Sequence, residues 1–358
     1  MTKRVCYIHI GPHKTGTKVI QWFLKEHRAK LLNYGYLVPE SGNIHGGHHA
    51  IARRLCGQEI PDHEQPLAAR FDQVIRQTSC EAVVISSEEL DGLLRNVEYA
   101  KSFFKRLREL NLEPKLVVFV RNQSQSINSR YTQVVKGFRL SEPFEAFVQT
   151  VIHHAFLRYS QFIGLADAFD AELIPRPFNK ETIVRGVVPE FLQAIGINSS
   201  QFQGAEARRN EAVGPFTVSV AREVSRSIGK ELTWLQAQRC KKKLAAYLEE
   251  KGWTDAGYCG LSTSLARHIE AELRSENDAF AQSVWGRPWG DIFASDVTEE
   301  FMPNDFEMRQ PDWFTARRLR RAIHKMKAFA HAILTDPALS VDALWNNAAY
   351  RNGLVARD

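Results

Sequence analysis

Between the apolar run Val5 to Ile10 and the apolar positions Val19, Ile20, Phe23 and Leu24 lies the segment Gly11-Pro12-His13-Lys14-Thr15-Gly16-Thr17-Lys18. The run reads as a buried strand, and the periodic positions as one face of a helix starting near Gly16-Thr17. Such a junction offers backbone N–H groups and the positive end of a helix dipole to an anion. Gly11 and Gly16 permit close backbone approach, Lys14 supplies a point charge, and Thr15 and Thr17 supply hydroxyl donors. The chemistry is phosphate binding, but not by a Walker A loop. That motif closes on Gly-Lys-Ser/Thr, whereas Gly16 is followed by Thr17 and only then by Lys18. Taken alone, the segment also fits an ordinary Gly-containing β–α turn with a solvated lysine.

The elements that would position this loop alternate. Ala82 to Ser86 and Leu116 to Val120 read as further buried strands, Ala171 to Ile174 as a fourth closed by Pro175 and Pro177, and helical segments separate them. The expected fold class is α/β, with a central, mostly parallel sheet flanked by helices in three layers and a helical C-terminal subdomain. A division into a nucleotide-binding domain over 1–198 and a mainly helical extension over 199–358 is expected, because amphipathic helices replace the alternation beyond Asn198. Trp-Gly turns and prolines mark 286 to 312 as irregular, and a final helix carries Arg317, Arg318, Arg320 and Arg321.

Composition narrows the function classes. No stretch approaches the roughly 18 consecutive apolar residues that span a bilayer. The first residues run straight into a strand, so a cytoplasmic location is expected. The five cysteines are scattered without a CxxC pair, which fits reduced thiols and no metal site. A net charge of +6 suits an anionic small ligand. Basic residues without interleaved aromatics argue against nucleic acid.

The order of the first loop resembles the 5′-phosphosulfate loop of sulfotransferases that use 3′-phosphoadenosine-5′-phosphosulfate (PAPS). Lys14, Thr15, Gly16 and Thr17 match it, and Gln21 fits a glutamine that follows in the family; His13 stands for the family's proline and Lys18 for its second threonine. A second junction, Val118-Phe119-Val120-Arg121-Asn122 leading into Ser129-Arg130-Tyr131-Thr132-Gln133, is similar to the family's 3′-phosphate motif. Arg121, Ser129 and Tyr131 keep its spacing, and the Ser-x-Tyr-Thr-Gln run is most similar to heparan-type members. Gln123 and Ser126 depart from the pattern. The resemblance implies a P-loop-like fold and a PAPS-dependent sulfotransferase, with the nucleotide held by Lys14, Thr15, Gly16, Thr17, Lys18, Arg121, Ser129 and Tyr131. It also implies no metal, the co-product 3′,5′-bisphosphoadenosine, and a carbohydrate or glycolipid acceptor.

Sulfuryl transfer places negative charge on the bridging oxygen of the leaving group, where Lys14 would act. The acceptor also needs a general base. Two groups qualify: Glu88, in Ser86-Ser87-Glu88-Glu89, and His48 or His49, in His45-Gly46-Gly47-His48-His49. Glu88 and Glu89 equally suit the first turn of a helix, and the histidines a solvated loop. Two other readings stay open. A P-loop-type kinase or NTPase would need Gly-Lys-Ser/Thr and a strand ending in Asp, and a non-catalytic nucleotide-binding relative would account for the departures at Lys18, Gln123 and Ser126.

Overall fold

The computed structural model describes residues 3–12, 14–40, 46–202, 213–228, 232–253, 256–297 and 300–335. His13 and His45, both singled out above, lie outside them. Five strands, β1 (Arg4–Ile10), β2 (Tyr36–Leu37), β3 (Ala82–Ser87), β4 (Leu112–Val120) and β5 (Glu172–Pro177), form one sheet in the order β2-β3-β1-β4-β5. Every pair in it is parallel. The strands are near-continuous apolar runs because both faces are covered. Ile8, Ile10, Ile85 and Val118 enter a core shared with Phe103 and Phe104 of the helix Val97–Glu109. The alternate residues Val84, Val117 and Phe119 enter the opposite core, with Phe23 of the helix Thr17–Glu26 and Phe191 of the helix Val187–Ala194. Three layers result.

Two strands differ from expectation. β5 runs on through Pro175 and ends at Pro177, which its place at the sheet edge allows, since an edge strand does without some ladder donors. β2 is two residues long, too short for any periodic signal.

The contacts divide the chain into two compact units. The first comprises Met1–Asn122, Ala155–Arg208 and Leu273–Glu299, and the second Gln123–His154, Arg209–Glu272 and Glu300–Asp358. The helix Gln123–Val135, adjacent in sequence to β4, packs with the helices Phe144–Val151 and Pro215–Ile228. Among the described residues no helix is long and apolar enough to cross a membrane.

Candidate functional site

The loop after β1 is shaped by two left-handed residues. Lys14 has φ 69° and Gly16 φ 79°. A side chain at Gly16 would also press on Val187, 3.0 Å away. Gly16 caps the helix Thr17–Glu26 with no side-chain hydrogen bond, and the first turn holds no acidic residue. Its first N–H groups and the positive end of its dipole therefore meet no side-chain cap and no acidic residue of their own first turn. Thr15 is buried and donates to the Pro12 carbonyl at 2.7 Å, so its hydroxyl tightens the turn. Thr17 and Gln21 are buried as well, and Thr17 Oγ1 and Gln21 Nε2 have no hydrogen-bond partner among the described residues. Buried donors are normally satisfied, so this pair has hydrogen-bonding capacity to spare. Lys18 is exposed on the outer side of the first turn.

Arg121 follows the last residue of β4, next to β1. Its Nη1 donates to the Lys14 carbonyl at 3.0 Å, and its guanidinium lies 5.6 Å from the centre of the Phe178 ring. Its backbone carbonyl accepts the Tyr159 hydroxyl at 2.8 Å. Burial lowers its pKa, against the favourable fields of Tyr159 and Asp296, yet a guanidinium stays charged throughout the working range. Arg121 thus braces the loop through the Lys14 carbonyl.

At the end of β3 the histidines separate. Ser86 N–H donates to His48 Nδ1 at 3.0 Å, which puts the ring proton on Nε2, donated to the Pro39 carbonyl at 3.0 Å. Burial pushes His48 down to about 4, outweighing those hydrogen bonds. Both ring nitrogens of His48 are thus engaged with backbone groups, and the ring is neutral. His49 instead sits half-buried, with Nδ1 2.9 Å from Ser87 Oγ. A Cβ at Gly47 would stand 2.6 Å from His49 Nε2 and 3.1 Å from Gln21 Cδ, so His49 borders the unsatisfied glutamine. Glu89 is held by Arg53, with Nε to Oε2 at 2.7 Å. Glu88 is half-buried and makes no hydrogen bond or ion pair among the described residues. Gly11 N–H reaches the Ser87 carbonyl at 3.5 Å, so Glu88 and the Lys14 loop leave adjacent strands at one edge.

Ser129 and Tyr131 belong to the second unit, on the helix Gln123–Val135. Ser129 is half-buried. Tyr131 is wholly buried, accepting from Arg222 Nη1 at 3.0 Å and donating to the Glu142 carbonyl at 2.9 Å. Its hydroxyl is engaged within the core of its own unit.

Sequence reasoning missed His9 and Arg53. His9 is fully buried on β1, 2.8 Å from Ser86 Oγ, and burial pushes it down to about 3, so it is neutral. Nothing local announces a histidine inside an apolar strand. Arg53 did carry a signal, since it stands one turn after His49 on the helix His49–Leu55 and shares its face. Gly46 has φ 82°, and a Cβ there would fall 2.2 Å from the Gln21 carbonyl oxygen. Gly46→Ala is therefore expected to destabilise the protein by about 2 kcal/mol or more, read by urea unfolding. Unchanged stability would mean that this segment does not lie against Gln21.

Among the described residues no group of three or more His, Cys, Asp or Glu side chains is disposed to hold a metal ion. No family model matches the chain, and no curated protein matches it. Among solved structures the chain is similar to the crystal structure of a sulfotransferase from Alicyclobacillus acidocaldarius, at 15% identity and a TM-score of 0.36, over 63% of this chain and 92% of that one.

Proposed function

We propose that the chain transfers a sulfuryl group from PAPS to a hydroxyl or amine, with a carbohydrate or glycolipid as acceptor. The observation that carries this reading is the Arg121–Lys14 contact. A Lys-Thr-Gly-Thr turn at the end of the central strand is braced, through its own lysine carbonyl, by the arginine that ends the neighbouring strand. The unsatisfied Thr17 and Gln21 donors and the uncapped helix suit the donor's 5′-phosphosulfate.

In this scheme Lys14 neutralises charge growing on the bridging oxygen as its bond to sulfur breaks and the acceptor oxygen bonds to sulfur. Glu88, the unengaged carboxylate at the same sheet edge, takes the acceptor's proton. His49, steadied by Ser87, is the alternative base. Arg121 takes the 3′-phosphate. No metal is required.

The first test is calorimetric titration with 3′,5′-bisphosphoadenosine beside ATP and AMP, without and with Mg²⁺. Preferential, metal-independent binding of the bisphosphate is expected; preference for Mg-ATP overturns the reading in favour of a kinase. Arg121→Ala is expected to weaken bisphosphate binding by about 1.5–3 kcal/mol. If the preference for 3′-phosphorylated over plain adenosine nucleotides survives that change, Arg121 only braces the loop. Glu88→Gln is expected to lower kcat about a hundredfold with bisphosphate affinity unchanged. A larger loss in His49→Gln would transfer the role of base to His49.

A further inference from the structure

The helix Trp313–Thr335 of the second unit turns Ala322, Met326, Ala330 and Ile333 inward, one turn apart, as a helix packed on a core must. Trp313, Arg317, Arg320, Arg321 and His324 fall on the opposite side and are exposed. At its start, Trp313 and Phe314 are 60% and 69% exposed, their rings edge to face at 5.0 Å. The Arg317 guanidinium lies 5.4 Å from the Trp313 ring centre. Met302 and Met308, a little earlier in the chain, are also largely exposed. No aspartate or glutamate occurs along the helix, so its outward arginines meet no compensating charge from their own element. Asp312, just before it, is spent on Thr315.

We propose that this face docks the protein reversibly on an anionic lipid bilayer, with Trp313 and Phe314 entering the headgroup region and Arg317, Arg320 and Arg321 contacting lipid phosphates. Large aromatic side chains left in water beside a basic stripe are the composition of an interfacial helix. A soluble polyanion would use the arginines but leave Phe314 in water, whereas a bilayer buries both kinds of group. This goes beyond the sulfuryl-transfer reading and does not depend on it.

The test is co-sedimentation of the full chain with phosphatidylcholine vesicles, with and without phosphatidylglycerol, over a range of salt. Binding to the anionic vesicles alone, weakening with salt, is expected. The double change Trp313→Ala with Phe314→Ala is expected to weaken it about tenfold or more. The double change Arg317→Ala with Arg321→Ala is expected to flatten the salt dependence. Both variants should melt with the wild type, because none of these side chains is buried. Failure of the full chain to bind anionic vesicles overturns the proposal, as does undiminished binding by both variants. Retention on a soluble sulfated polysaccharide without vesicle binding also overturns it and makes the face a polyanion site.

Discussion

Lys14→Ala is expected to lower sulfuryl transfer about a hundred- to a thousandfold, the usual loss when one preorganised group facing developing charge is removed. Bisphosphate binding should fall less, because backbone N–H groups and the helix dipole remain. The backbone supplies a control that separates chemistry from folding. Lys14 sits at φ 69°, a left-handed conformation that costs an ordinary residue about 1 kcal/mol or more and glycine almost nothing. Lys14→Gly should therefore be as inactive as Lys14→Ala yet more stable by about 1 kcal/mol, as thermal unfolding of the two would reveal. Retained activity in both would remove Lys14 from the chemistry. Equal stability would mean that the loop does not hold Lys14 left-handed.

The largest stability effect is expected at a site with no part in catalysis. In the core of the second unit, Arg222 meets Asp305 through two hydrogen bonds of 2.7 Å, and the Tyr258 hydroxyl donates to the same carboxylate at 2.6 Å. Both charged side chains are almost wholly buried. Removing one partner strands the other charge away from water, so Asp305→Ala is expected to cost about 3–5 kcal/mol. The paired change Arg222→Met with Asp305→Leu should recover most of that, because no charge is then left unpaired. Burial by itself would raise the Asp305 pKa, but the hydrogen bonds from Arg222 and Tyr258 outweigh it and hold the carboxyl below the ordinary carboxylate range. The folded protein therefore keeps Asp305 ionised to lower pH than the unfolded chain does. The resulting stability is present above the ordinary carboxyl value of about 4 and is lost as pH falls through the depressed folded value. Acid unfolding of the wild type beside Asp305→Asn checks this, since the variant should lose that part of the pH dependence.

The outline of the parallel sheet was open to reading from the chain because its signals are local. Apolar runs such as Val83-Val84-Ile85 state that both faces of a strand are covered, and Gly11 and Gly16 state where a turn must pass close to something. A lysine between those glycines, and an arginine at the next strand's end, suffice to suggest an anion. Those features depend on neighbours a few residues away and are written in order.

What each candidate side chain does depends on groups far along the chain. His48 and His49 are adjacent and chemically identical, yet one is consumed by the carbonyl of Pro39 and the amide of Ser86 while the other reaches Ser87 beside Gln21. Tyr131 stands in a run similar to a binding motif, and its hydroxyl meets Arg222 and the Glu142 carbonyl, both far from that run's own local signals. Arg121 looked like a ligand group only, and the fold set it on the Lys14 carbonyl as well. Local signals in the chain thus specified the parallel sheet, the Lys-Thr-Gly-Thr turn after its central strand and the residue types at the strand ends. Tertiary structure alone decided which polar groups remain available for chemistry, because a buried donor or acceptor takes whatever partner packing brings within about 3 Å, and that partner is seldom a sequence neighbour.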